Sequence, residues 1–172
     1  MTLPAATDLS VDIRIADPRW EEALGDVDAL AARALGCAAS RMEIGGEVSI
    51  LFTADPEMQA LNRQWRGFDK PTDVLSFPSD SPAIPGQPKH LGDIVIAYET
   101  AMRDAETMQR PADAHACHLL VHGFLHLLGY DHIESADAAV MEPLETQILA
   151  DLGWPDPYTT GPYTADRHGD PD

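Results

Sequence analysis

The sequence predicts a single α+β domain, a small mixed four-stranded sheet packed against about five helices, with a histidine-bearing helix in the core. Three observations carry that prediction. At 172 residues the chain is long enough for one sizeable core and too short to divide readily into two. Short runs alternating apolar and polar residues, the period of a half-buried strand, are interleaved with segments whose apolar residues recur every three or four positions, the period of a helix. Hydrophobic residues make up 44% of the chain, as in an ordinary globular protein, and no apolar run approaches the roughly 20 residues a membrane span needs.

The first strand is expected over 11–16, where Val-Asp-Ile-Arg-Ile-Ala alternates strictly. Asp17-Pro18 reads as a helix start, an aspartate that can cap followed by a proline whose missing N–H costs nothing in the first turn. Trp20, Leu24, Val27, Leu30, Ala31, Ala34 and Leu35 keep helical spacing, and Gly36 closes that helix. Residues 47–53 form the second strand. Asp55-Pro56 opens a helix through Met58, Leu61 and Trp65 that ends near Gly67. Val74 to Phe77 is a short strand. Four prolines and a glycine between 78 and 90 exclude a regular element and predict a mobile loop, a candidate lid. The β-branched segment 92–97 is the fourth strand, followed by a helix over about 98–109. Pro111 starts the histidine-bearing helix, which runs to Leu128. The last helix spans about 136–152, with Pro143 either kinking it or marking its first turn. The domain is placed at 10–155, with 1–9 and 156–172 expected as flexible tails.

The N-terminus lacks a basic region followed by an apolar stretch, so no secretory signal is expected. Cys37 and Cys117 show no metal-ligand spacing and read as small buried hydrophobes in a reducing compartment, which favours the cytoplasm. The net charge of −18 argues against a general nucleic-acid binder. Yet Arg63, Arg66 and Lys70 fall within eight positions of one another, a local basic patch in an acidic chain.

The most informative stretch is His122-Gly-Phe-Leu-His126-Leu-Leu-Gly129-Tyr-Asp-His132. Histidines four apart on a helix lie one turn above the other, so both imidazoles can face one ion. Gly129 suits a left-handed turn at the helix end that brings His132 back toward the pair. Neutral imidazoles suit zinc, and three protein ligands leave a fourth position open, the mark of a catalytic rather than a structural site. The spacing matches that of metzincin proteases, but Gly123 stands where those enzymes carry their glutamate base. Gly123 is also read as leaving room over the metal. His118 continues the row one turn earlier, and His115 sits near it. Since each four-residue step rotates about 40° around the axis, His118 is expected behind the ion or in the core. Asp131 is read either as orienting an imidazole or as a solvated turn residue, and Tyr130 either as core or as a hydrogen-bonder near the metal. Arg66 is read either as a dipole-complementing residue at a helix end or as a bidentate phosphate ligand. Asp73, after Thr72, either fixes that arginine or caps a turn.

Together with Arg66-Gly-Phe-Asp-Lys-Pro-Thr-Asp-Val-Leu-Ser-Phe77 and Leu91-Gly-Asp-Ile-Val-Ile96, the histidine segment resembles the YbeY family of bacterial endoribonucleases. The resemblance covers roughly residues 10–155, including Met141-Glu-Pro-Leu-Glu145. It implies one zinc ion per chain, or another divalent metal, on His122, His126 and His132, with the family's functional arginine at Arg66. It also implies cleavage of single-stranded RNA in maturation of small-subunit ribosomal RNA and in ribosome quality control, with RNA as partner; the acidic charge adds small-subunit ribosomal proteins as expected contacts, and hydropathy no membrane. His122 and Arg66 are the expected catalytic residues. The residues leave open whether the nucleophile is water or the RNA 2′-hydroxyl. A metal-dependent peptidase or small-molecule hydrolase, and an assembly factor with a structural metal, are the alternatives.

Overall fold

Period-two and period-3.6 segments resolve into four strands and six helices in the computed structural model, which describes residues 8–80, 82, 84–130 and 135–158, the side chains of 135–138 excepted. Strands β1 (Leu9–Ile15), β2 (Gly46–Thr53) and β4 (His90–Ala97) run parallel, and β3 (Val74–Pro78) joins β4 antiparallel, giving the order β1-β2-β4-β3. The sheet is therefore mixed, as expected, with β3 at one edge. Its register aligns Ile13 with Ile50 and Ile50 with Ile94, which in turn pairs with Ser76.

The helices are α1 (Arg19–Leu24), α2 (Val27–Met42), α3 (Asp55–Arg66), α4 (Tyr98–Thr107), α5 (Ala112–Leu127) and α6 (Ser135–Asp151). The count exceeds five because the spacing from Trp20 to Leu35 runs through a break. Gly25 leaves the helix at φ 77°, and the Asp26 carboxylate then accepts the Ala29 N–H at 3.0 Å as the cap of a new helix. Gly36 does not close this helix, since α2 continues to Met42. Pro143 lies inside α6.

The two faces of the sheet carry different layers. On one, Val48, Ile50, Phe52, Ile94 and Ile96 pack with α2, α5 and α6 into the main core. On the other, Met58 and Leu61 of α3 meet Leu75, Phe77, Val95 and Leu51 in a smaller cluster. The alternation along β3 sends Val74 and Ser76 toward α5 and Leu75 and Phe77 toward α3. Helix α5 lies in the middle of the main layer, as the sequence predicts for the histidine-bearing helix. Both cysteines are free, and burial pushes the Cys117 thiol up to about 11, so it behaves as an inert hydrophobe. Among the described residues no helix is long and apolar enough to cross a membrane.

Candidate metal centre

Helix α5 is hydrophobic nearly all round, which suits a helix covered by neighbours on most sides. From Ala114 to Leu127 every residue is buried except His118, His122 and His126. These three follow one another by four positions, so the single stripe of α5 that opens outward is a row of imidazoles. Gly129, at φ 101°, ends the helix in a conformation that a side chain resists, and Tyr130 N–H bonds back to the Leu125 carbonyl at 3.1 Å. Tyr130 packs partly against the core. Asp131 and His132 lie outside the described residues.

The Nε2 atoms of His122 and His126 lie 3.0 Å apart. On its other side His122 Nδ1 lies 2.6 Å from Oε2 of Glu145, a fully buried carboxylate on α6. Burial alone would raise the Glu145 carboxyl, but the imidazoles of His118 and His122 outweigh it and hold the group well below the usual carboxylate range. An ionised carboxylate only accepts, so the His122 proton sits on Nδ1 and Nε2 turns its lone pair toward His126. Two lone pairs at that separation repel unless a proton or a cation lies between them. Tetrahedral neighbours at zinc–nitrogen distances of about 2.0 Å would stand about 3.3 Å apart, close to the observed gap. The donor set therefore fits zinc.

His118 is not turned to the same point. Arg110 Nη1 donates to its Nδ1 at 2.8 Å, and its Nε2 lies 3.2 Å from the Tyr158 hydroxyl, which itself donates to Glu145 Oε1. Arg110 Nη2 also donates to the Pro157 carbonyl at 3.3 Å. Arg110, His118, Tyr158 and Glu145 thus form one largely buried polar chain ending on His122, with Arg110 and Glu145 enclosed, and packing continues past residue 155 through Pro157 and Tyr158. Such an outer partner fixes the tautomer and aim of a metal-ligating histidine.

Sequence reasoning assigned no role to Glu145, Arg110 or Tyr158. For Glu145 the signal was available: it shares a helical face with Met141, Ile148, Leu149 and Leu152, all buried. A glutamate on an apolar face needs a partner, and His122 is that partner. Glu145→Gln preserves shape but removes the charge. It is expected to weaken zinc binding about 10- to 100-fold in competition against a chromophoric chelator. Affinity within twofold of wild type, in a protein with unchanged circular dichroism, would contradict this role.

Gly123 does not open space above the metal. It is buried, and a Cβ there would stand 3.1 Å from Ile94 Cγ2, 3.1 Å from Ser76 Oγ and 3.4 Å from Val74 Cγ2. One residue on from His122, the helix has turned about 100° and faces the sheet. Ser76 Oγ exploits the close approach by donating to the Gly123 carbonyl at 2.9 Å. The missing glutamate reflects helix–sheet packing.

Arg66 is the last residue of α3, exposed, with Gly67 as its left-handed cap. It has no side-chain hydrogen bond or ion pair among the described residues. Because α3 packs on the sheet face opposite α5, Arg66 and the histidine row are carried by helices of different layers. Asp73 is not its clamp: its Oδ1 accepts the Val74 N–H at 2.8 Å at the start of β3. The Asp73 carboxylate also groups with those of Asp104 and the His115 imidazole, their donor atoms all within 4.8 Å of one another. Burial, reinforced by His118 and Arg110, lowers His115 to about 3, so it is neutral near pH 7. Arg110 Nη1 already lies 3.4 Å from His115 Nδ1, and that fixed charge opposes a cation here.

A family model described as Endoribonuclease YbeY matches residues 9–153. A protein named Endoribonuclease YbeY from Bradyrhizobium sp. (strain BTAi1) is 47% identical over 163 residues, covering 91% of this chain and 96% of its own. Another of that name, from Sinorhizobium medicae (strain WSM419), is 58% identical over 114 residues, covering 65% and 67%. A solution structure from Thermotoga maritima shares the fold at a TM-score of 0.57 and 20% identity, covering 93% of this chain and 99% of that one.

Proposed function

Because the chain belongs to the endoribonuclease YbeY family, we propose that it is a zinc-dependent endoribonuclease that hydrolyses phosphodiester bonds in single-stranded RNA. One observation supports the metal reading above the others: the only open stripe of a buried helix presents two imidazole nitrogens 3.0 Å apart, with a buried carboxylate behind one of them. His122, His126 and His132 would hold one zinc ion per chain. Bound there, zinc supplies Lewis-acid stabilisation of charge on a phosphoryl oxygen.

The protein's own groups account for the rest. Glu145 holds the His122 ring so that its Nε2 is aimed and unprotonated. The Arg66 guanidinium, uncommitted among the described residues, takes a non-bridging oxygen bidentately. Arg66 and the histidine row belong to helices on opposite faces of the sheet, so a substrate touching both must be extended, which suits a polymer better than a small ester. No carboxylate occupies the position after His122, where a peptidase of this spacing holds its base. We place the activity within residues 10–155, in the cytoplasm, on small-subunit ribosomal RNA. Basic ribosomal proteins are fitting contacts for a chain of net charge −18.

The test is a paired assay. Metal-replete protein is expected to cleave single-stranded ribosomal RNA fragments and to leave casein intact. Chelation should stop cleavage, and one equivalent of zinc should restore it. Casein digestion, or RNA cleavage that survives complete zinc removal, would overturn the proposal.

A further inference from the structure

Two large aromatic side chains stand at the surface where α3 ends. Trp65 is 63% exposed and Phe68 49%, and with Ile84 and Val140 they are the exposed large hydrophobics among the described residues. Each leaves aromatic area in water that a fold would ordinarily bury, as Trp20 does. Neither is loose. Gly67 caps α3 at φ 79°, its N–H bonded to the Arg63 carbonyl, and the Phe68 N–H bonds to the Asn62 carbonyl at 3.3 Å. The buried Asn62 amide donates to the Lys70 carbonyl at 2.9 Å, which clamps the turn onto the helix. Trp65 meets Phe77 edge-on at 6.5 Å, so its position is set from one side while most of it remains in solvent.

Cations are interleaved with these rings. The order Trp65-Arg66-Gly67-Phe68-Asp69-Lys70 alternates aromatic and basic groups around a tight turn. Lys70 Nζ stands 5.8 Å from the Phe68 ring centroid. Arg63 is only loosely engaged with Asp69, at 3.8 Å between exposed groups. In a chain whose net charge repels nucleic acid, three of eleven basic residues are concentrated beside these two exposed aromatic rings.

We infer that Trp65 and Phe68 form a base-stacking platform for single-stranded RNA, with Arg66 and Lys70 on the adjoining phosphates. Bases present flat π faces and phosphates a charge at every step, so alternating rings and cations complement a single strand. A duplex keeps its bases stacked internally and cannot use the rings. This assignment rests on the nuclease reading above and names how that site holds its substrate strand.

The experiment measures binding of a fluorescein-labelled single-stranded 2′-O-methyl RNA oligomer to the zinc-loaded full chain by anisotropy. Trp65→Ala and Phe68→Ala are each expected to raise Kd about 5- to 100-fold, and Trp65→Phe to restore most of the loss. Zinc content and the urea midpoint should not move, since both rings are exposed. Absence of binding by wild type, or an unchanged Kd in the double alanine variant, would overturn the platform. Equal losses for a duplex oligomer would also overturn it. Wild type that binds through Trp65 yet leaves RNA uncut would refute the nuclease reading alone. Efficient cleavage with unchanged Kd in the double variant would refute the platform alone.

Discussion

His126→Ala is expected to lose stoichiometric zinc and to cut RNA at least about 100-fold more slowly, while remaining folded. Losing an outer partner of a metal ligand already costs about 10- to 100-fold, and removing the ligand costs more. His126 belongs to the open stripe of α5 and is only half-buried, and alanine is the best helix former. The change should therefore leave the urea midpoint near that of the zinc-free wild type. Elemental analysis and single-turnover cleavage read the two effects separately. Arg66→Ala is the contrasting variant, expected to keep its zinc and lose cleavage through weaker hold on phosphate. Full zinc occupancy in His126→Ala would mean that the ion is held elsewhere, with Asp73, Asp104 and His115 the next group to examine.

Gly123→Glu is expected to lose most of the protein's folding stability, whatever it does to chemistry. Even the first added carbon would meet Ile94 and Ser76 at 3.1 Å. The carboxylate beyond it would enter the layer between α5 and the sheet, where no cation among the described residues is placed to receive it. Overpacking costs about 1–3 kcal/mol and an unpaired buried charge several more. Against a net stability of roughly 5–15 kcal/mol, that sum removes most of the margin. Gly123→Ala separates the contributions: about 1 kcal/mol of helix propensity is gained while the close contact must give by a few tenths of an ångström. Its stability should fall by no more than about 2 kcal/mol. Urea unfolding of both variants is the measurement. Wild-type midpoints for Gly123→Glu would restore the idea that this glycine clears space above the metal.

Much of the architecture was legible because it is local. Alternation at 11–16, β-branched content at 92–97 and two further short segments placed all four strands within about two residues, and Asp55-Pro56 and Gly67 marked both ends of α3. The one division missed, at Gly25-Asp26, was hidden because apolar spacing happened to stay in phase across the break. The basic cluster was visible too, but its accompanying rings were not: Trp65 at helical spacing reads as core until the packing shows Met58 and Leu61 taking that role.

By itself, the sequence determined the histidine row and the turn that ends it, because i, i+4 geometry and a left-handed glycine are properties of a few neighbouring residues. Only the tertiary structure decided which side of α5 opens to solvent, that Glu145 reaches His122 from 23 positions away, and that Gly123 faces Ser76 and the sheet. Those outcomes depend on which faces of α2, α6 and the sheet close over the helix. Local periodicity gives each segment an apolar face, but the partner of that face is chosen by long-range packing.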